Sequence, residues 1–536
     1  MRRPPLRLVT AALTAAFFAA PAAVPAVASH TGSVAAAAPV QAPAGDLERD
    51  IDAILDDPRL DGAQVGVVIR EAESGEMLYS RGAGTHVMPA SNQKLLTTAA
   101  ALGVLGPGYR FRTSVLTDGF RHGSVLRGNL YLEGTGDPTM QPGDYDRLAA
   151  KIAASGVEKV SGNVVADDTW FDDVRLGRGW AARDEPNAYS PQISALTLSP
   201  GPELHTGSIN VEVEPGEEGE PVNVALQPQT DYVTIENNST TVAAGQPSTL
   251  SVQREHGTNT IVVSGEYPVD GGTFTGSSTV DGPTGYAAAV FRQALADHGV
   301  EIAGETVRGA TPKGATELAQ RSSRQLSELI VPLMKLSNNG MAEILVKAMG
   351  RETRGEGSWP AGLAAVEDYL KKLGVGTSQL RLADGSGLSR LDRVTAGQVA
   401  VLLSAVRSKP WFPAFYHALP VAGEKGPLVG GTLASRMRGT PAAGNVHAKT
   451  GTLTGVSALS GYVKNPRGER LVFSIVMNDV YGAVPEDLED AIAVRLAGGS
   501  NVRRQVAPQH PARSEQARYH SSRSGEGAEC SWANAC

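Results

Sequence analysis

Ser91-Asn92-Gln93-Lys94 opens an Ala- and Leu-rich run, residues 91–105, whose pattern is that of a helix. A hydroxyl and an amine three residues apart at a helix start lie on one face, about one turn from each other, where the amine can take the hydroxyl proton. The N–H groups of that first turn favour negative charge forming beside the serine. A helix-capping serine with an exposed lysine has the same pattern, so the pair alone decides nothing. Lys94 is nevertheless the only lysine in the chain with a serine three positions before it.

Two further elements narrow the reading. Lys449-Thr450-Gly451 occurs once, inside the extended stretch Val446-His447-Ala448-Lys449-Thr450-Gly451-Thr452-Leu453. A glycine in such a strand is expected to let a ligand backbone come close to the edge. Ser-x-Asn occurs three times, at Ser161/Asn163, Ser208/Asn210 and Ser337/Asn339. The first two fall in β-like runs, whereas Lys335-Leu336-Ser337-Asn338-Asn339-Gly340 bridges two helical stretches. A short polar loop of that kind can aim Ser337 and Asn339 into a cleft or can cap a helix.

Outward from these motifs the chain divides. Residues 46–55 form an amphipathic helix, and 65–79 alternate across Ser74-Gly75 as a hairpin. Residues 109–282 are short β-like runs broken by Gly, Pro, Asn and Asp. Helical patterns return at 287–298, 326–336, 341–349, 359–373 and 395–408. Two β-rich runs, 458–463 and 470–477, and a helix at 485–496 close the body. The expected fold is α/β (α+β), a catalytic body of residues 46–115 and 283–499 split by a mostly β insert, residues 116–282, of one or two small domains.

The ends read differently. Arg2, Arg3 and Arg7, an apolar run from 8 to 20 and Ala26-Val27-Ala28 mark residues 1–28 as a secretory signal peptide, with general or twin-arginine export left open. Residues 29–45 read as a flexible spacer and 500–536 as a disordered tail. Both cysteines, Cys530 and Cys536, lie in that tail, so neither a disulfide framework nor a Cys-rich metal site holds the body. The net charge is −8 with no Lys/Arg run, which argues against nucleic acid as a partner. The apolar leader is short for a membrane span, and no span is expected after its removal.

The ordered set Ser91-x-x-Lys94, Ser337-x-Asn339, Lys449-Thr450-Gly451 resembles the penicillin-recognising serine enzymes, penicillin-binding proteins and serine β-lactamases among them. Ser91 and Ser337 stand 246 residues apart (337 − 91), far more than a compact β-lactamase needs. That separation resembles the DacB-type D-alanyl-D-alanine carboxypeptidase/endopeptidases, the low-molecular-mass class C penicillin-binding proteins. Gly128-Asn129-Leu130-Tyr131-Leu132-Glu133-Gly134, Gly136-Asp137-Pro138, Ser161-Gly162-Asn163 and Asp384-Gly385-Ser386-Gly387-Leu388-Ser389 also resemble that family, over residues 46–499.

The resemblance implies a β-lactamase/transpeptidase-like body that trims peptidoglycan stem peptides through an acyl-enzyme on Ser91, with no metal or cofactor. Lys94 is then the base. A lysine in water, with a pKa of about 10.4, keeps its proton at neutral pH, so that role calls for desolvation or a nearby cation. Lys449 is expected beside the same serine. Ser337 relays a proton to the leaving amine, and Asn339 holds the substrate amide. The N–H groups of Ser91 and Thr452 form the oxyanion hole, while Lys449, Thr450, Gly451 and Thr452 line the site for the terminal carboxylate. β-Lactams are implied as acylating inhibitors. In the insert, Trp170 and Asp173 of the acidic run 167–173 are candidates for holding a free ammonium on the stem peptide, or else form an acidic turn with a packed ring.

Rival readings are a β-lactamase of the same superfamily and a wall-binding protein without activity. A Ser-His-Asp hydrolase fits less well, because Gly-x-Ser-x-Gly is absent from the sequence and His447 reads as a packed or solvent-facing residue. Carboxypeptidase against endopeptidase preference and the oligomeric state are not encoded in these motifs.

Overall fold

The computed structural model describes residues 44–499. The signal peptide, most of the spacer and the tail with its two cysteines therefore lie outside the described residues.

The body is built on a five-stranded antiparallel sheet that joins the two ends of the described chain. Its order is His447–Leu453, Val456–Lys464, Arg470–Asn478, Gln64–Glu71 and Met77–Arg81. Gln64 pairs with Asn478 and Glu71 with Leu471, so the N-terminal hairpin lies beside strands that arrive nearly 400 residues later. Val456–Lys464 is buried on both faces apart from its last residue. Its sequence accordingly runs Val, Ser, Ala, Leu, Ser, Gly, Tyr, Val, small or apolar throughout, in place of a polar alternation. Helices Ala44–Leu55 and Glu486–Leu496 cover one face through Ile51, Ile54, Ile492 and Leu496. Ala396–Val406 covers the other, and beyond it Gln93–Val104, Leu326–Lys335, Asn339–Arg354, Trp359–Lys372 and Phe412–Ala418 form an all-helical lobe around Leu95, Leu333, Ile344 and Val366.

The insert has its own core, centred on Leu132, Tyr145, Val164, Val211, Ile261 and Phe291. Its strands form a five-stranded sheet, a four-stranded sheet and two three-stranded sheets. Two expectations change here. Pairing runs past the 116–282 limits: Arg112–Thr117 pairs with Thr316–Ser322, and Val164–Asp167 with Thr306–Arg308. Helix Pro283–Asp297 turns Tyr286, Phe291 and Leu295 into the insert core. Residues 283–322 thus pack with the insert, because their apolar faces are buried there. The insert also contains a full helix, Pro142–Ala154, with Tyr145, Leu148, Ala149 and Ile152 on its buried face. That i, i+3, i+4, i+7 spacing is a helical period that the surrounding β texture obscured. No helix among the described residues is long and apolar enough to cross a membrane.

Candidate active site

The three motifs converge where the helical lobe meets the edge of the body sheet. Ser91 lies in a short 3₁₀ turn, Ala90–Asn92, that leads directly into helix Gln93–Val104. The helix cap has no side-chain hydrogen bond, so Ser91 is not a capping serine. Its hydroxyl instead accepts from Lys94 Nζ. Both residues are buried, Ser91 at 1% exposure and Lys94 at 0%. The amine also donates to Asn339 Oδ1 at 2.6 Å and to Ser386 O at 3.0 Å.

Ser337 sits at the junction of helices Leu326–Lys335 and Asn339–Arg354 with φ +57°. A non-glycine residue in the left-handed region costs on the order of 1–3 kcal/mol and persists only where its surroundings hold it. Ala90, immediately before Ser91, is also left-handed, with φ +44°. Backbone strain therefore adjoins both hydroxyls. The capping role that the loop offered is taken by Asn338, whose side chain accepts from Met341 N at 3.0 Å. That frees Asn339 to face inward. Its Oδ1 accepts from Lys94, and its Nδ2 donates to Tyr189 O at 2.8 Å, so both ends of the amide are engaged within the protein. One N–H and one oxygen lone pair of that amide are thereby used within the protein.

Lys449, fully buried, donates to Ser337 Oγ at 2.7 Å and to Thr450 O at 2.9 Å. Lys94 thus hydrogen-bonds Ser91, and Lys449 hydrogen-bonds Ser337. Thr450 Oγ1 bonds Thr432 Oγ1 at 2.8 Å, a partner with no sequence signal. The strand carrying these residues is an edge strand. Its Ala448 N–H points outward to Pro420 O at 3.0 Å, and the two-residue alternation of a strand sends the N–H groups of Thr450 and Thr452 to the same outer edge. Gly451 also meets a need within the chain. A Cβ there would lie 2.9 Å from Pro89 O and 3.0 Å from Ser91 N, so the missing side chain lets the strand lie against the turn that bears Ser91.

Trp170 and Asp173 are engaged elsewhere. The Trp170 ring lies under the Arg351 guanidinium at 4.6 Å. Asp173, 75% exposed, is ion-paired with Arg308 and lies 4.0 Å from Arg175. Asp168 is fully buried between Arg175 and Arg308, and Asp172 bonds Lys347 at 2.6 Å. Asp168, Asp172 and Asp173 are each ion-paired within the chain, and Asp167 accepts from Thr169 and Thr311. His447 packs, stacked on Tyr416 at 4.3 Å. Burial, with Lys335 and Arg470 nearby, pushes its pKa down to about 4.

Comparison with known proteins gives the family. Residues 47–498 match the model of the D-Ala-D-Ala carboxypeptidase 3 (S13) family. The chain is 50% identical over 496 residues to a D-alanyl-D-alanine carboxypeptidase of Actinomadura sp. (strain R39), covering 92% of this chain and 90% of that one. It is 28% identical to the D-alanyl-D-alanine carboxypeptidase DacB of Haemophilus influenzae, covering 78% of this chain and 86% of that one. The crystal structure of penicillin-binding protein 4 (dacB) from Haemophilus influenzae superposes with a TM-score of 0.73 at 26% identity, over 83% of this chain and 98% of that one. The same relative has been solved in complex with a β-lactam. With a family match over nearly the whole described chain, and with its three motifs gathered at one site, the protein belongs to the D-Ala-D-Ala carboxypeptidase 3 (S13) family.

Proposed function

We propose that this serine-type D-Ala-D-Ala carboxypeptidase trims peptidoglycan stem peptides through an acyl-enzyme on Ser91 and is acylated at the same serine by β-lactams. The observation that carries the reading is the environment of Lys94. A neutral amine has two N–H groups and one lone pair. In the structure the amine donates to Ser91 Oγ; once it has lost a proton, N–H groups kept on Asn339 Oδ1 and Ser386 O leave its lone pair for Ser91 Oγ, as general-base catalysis requires.

Ser91 Oγ attacks the carbonyl carbon of the penultimate D-alanine and passes its proton to Lys94. The carbonyl oxygen takes up negative charge between the N–H groups of Ser91 and Thr452. Losing one such donor costs ~10²–10³ in rate. The leaving D-alanine amine takes a proton from Ser337, which Lys449 resupplies along their 2.7 Å hydrogen bond. The proton on Lys94 passes by way of solvent to Lys449, which leaves Lys94 neutral; water then attacks the ester, and Lys94 takes its proton and returns it to Ser91 Oγ as the acyl group leaves. Lys449 and the hydroxyls of Thr450 and Thr452 receive the terminal carboxylate, giving local attraction that the overall charge of −8 does not. The substrate places the enzyme on the outer side of the cytoplasmic membrane, in keeping with the leader-like residues 1–28.

The test is to treat the protein with labelled penicillin, map the adduct by peptide mass, and follow D-alanine release from a pentapeptide. A persistent adduct on Ser91 together with D-alanine release is expected. An adduct elsewhere, or rapid turnover of the penicillin, would overturn the reading. Products from crosslinked and uncrosslinked muropeptides, separated by mass, distinguish endopeptidase from carboxypeptidase action.

Gly451→Ala gives an independent check on the geometry. Its Cβ must push the strand from the Ser91 turn, and misplacement near 1 Å costs about 10²-fold in rate. Acylation by penicillin is expected to slow by that order, and a variant acylating at the wild-type rate would refute the close approach as a requirement.

A further inference from the structure

The turn Asp384-Gly385-Ser386-Gly387-Leu388-Ser389 is fastened from two sides. From helix Gln93–Val104, side chains reach three successive carbonyls of the turn. Gln93 Nε2 donates to Asp384 O at 3.5 Å, Thr97 Oγ1 to Gly385 O at 2.6 Å, and Lys94 Nζ to Ser386 O at 3.0 Å. From helix Asn339–Arg354, the buried Glu343 takes the N–H groups of the same peptides. Gly385 N donates to Oε2 and Ser386 N to Oε1, both at 2.8 Å. Trp359 Nε1 adds a third donor at 2.7 Å. Asp384 closes the turn on itself, accepting from Gly387 N and Ser389 N at 2.7 Å and from Trp180 Nε1 at 2.8 Å. Gly387 has φ +85°, and a Cβ on it would lie 1.8 Å from Ala90 O, so the turn rests on the residue that precedes Ser91.

We propose that Glu343 and Asp384 are positioning residues for the reaction: by holding the Ser386 peptide in place they hold the carbonyl that turns the Lys94 amine toward Ser91. This rests on the reading of Ser91 and Lys94 given above. The peptide that carries the Ser386 carbonyl offers its N–H, that of Gly387, to Asp384 and its C=O to the amine, and hydrogen bonds in such a chain polarise one another, while Glu343 fixes the peptide before it. Without the Glu343 anchor the turn keeps its hold on helix Gln93–Val104 and loses its hold on the helix that carries Asn339. The two acceptors on Lys94 would then no longer move as one unit.

Charged groups around Glu343 come from each element packed on it. Asp384 belongs to the turn and Asp392 follows it, while Lys347, one turn along the same helix, is paired with Asp172 and has Arg175 nearby. Burial and the Asp384 carboxylate push Glu343 up to about 7, against the N–H groups that favour its charged form. A protonated Glu343 directs an O–H where Gly385 or Ser386 needs an acceptor, so the clamp loosens as pH falls through that region.

Glu343→Gln keeps the shape and replaces one acceptor by an NH₂ group. The variant is expected to be acylated by benzylpenicillin about 10–100-fold more slowly. Binding of an acyl-D-Ala-D-Ala peptide, measured before turnover, should change less than about threefold. The wild-type decline in acylation as pH drops through about 7 should be missing from the variant. Acylation within about twofold of wild type at every pH would overturn the proposal. So would a slower variant that keeps the same decline and binds peptide proportionately worse, since that marks a purely structural loss. If Glu343→Gln does not fold, Thr97→Val carries the test by releasing Gly385 O from the other side: slower acylation with peptide binding retained supports the clamp, and an unchanged rate overturns it. A wild-type protein that forms no Ser91 adduct is a separate result, which would remove the catalytic reading itself.

Discussion

Lys94→Met is expected to lower the rate of Ser91 acylation by ~10³–10⁴-fold while leaving a cooperatively folded protein. A positioned general base is typically worth ~10²–10⁴ in rate. Lys94 belongs in the upper part of that range, because its amine is also the hub that joins Ser91, Asn339 and Ser386. At about 1.36 kcal/mol per decade the loss corresponds to ~4–5.5 kcal/mol of transition-state stabilisation. The effect on folding has opposing parts. Asn339 Oδ1 and Ser386 O lose a donor, at ~1–3 kcal/mol for each buried unsatisfied group. Against that, the wild type buries an amine completely, and methionine of similar length needs no such desolvation. Stopped-flow acylation and a melting curve on the same preparation separate the two effects. An acylation rate within about tenfold of wild type, with the melting transition intact, would exclude Lys94 as the base.

How far the sequence reached depended on whether a feature is local. Ser91 and Lys94, three residues apart, sit within one turn, so spacing alone placed them on a common face, while Ser337 with Asn339 was legible as a short polar loop between two helical stretches. The lysine–threonine–glycine strand was legible because its residues lie in one extended run. What joins the motifs was not legible. Pairing of Gln64–Glu71 with Arg470–Asn478 crosses the whole body, and nothing in either segment names the other. The left-handed backbone at Ala90 and Ser337 is imposed by packing on residues whose types do not favour it. Thr432 and the Tyr189 carbonyl are contacts made in space alone.

Some signals were present and unweighed. Glu343 stands four residues beyond Asn339 on one helix, the spacing that stacks side chains on one face. A carboxylate set among Met341, Ala342, Ile344, Leu345 and Val346 has a reason to be there. The extent of the insert was misjudged for a related cause. Helix Pro283–Asp297 resembles the body helices in composition, and only its burial against the insert core reveals where it belongs. Trp170 and Asp173 show the converse. An aromatic ring beside carboxylates suggests an ammonium site, yet Arg351 and Arg308 supply cations from within the chain.

Arg436→Leu is expected to destabilise the protein by ~3–5 kcal/mol at pH 8, the range for removing one partner of a buried ion pair. The guanidinium bonds Asp490 at 2.6 Å, Glu489 at 2.9 Å and the Glu486 carbonyl at 3.1 Å. Glu489 also accepts from Ser457 Oγ at 2.5 Å, so the group ties helix Glu486–Leu496 to the sheet strand beside the Lys449–Gly451 segment. Burial pushes Glu489 up to about 7 and raises Asp490 as well, while Arg436 pulls both back. An unfolded glutamate has a pKa near 4.3. A raised acid costs nothing while both states are protonated, and the cost grows once the unfolded state ionises. In the wild type the Glu489 contribution therefore builds from about 4.3 and levels off at about 7. Without the guanidinium the folded protein keeps its protons above pH 7, so the cost goes on rising. The stability gap between variant and wild type should widen from pH 6 to pH 8.5, read as urea-unfolding midpoints at several pH values. A gap that stays constant across that range would show that the carboxylates do not respond to Arg436, and no gap at pH 8 would show that helix Glu486–Leu496 is held by its apolar face alone.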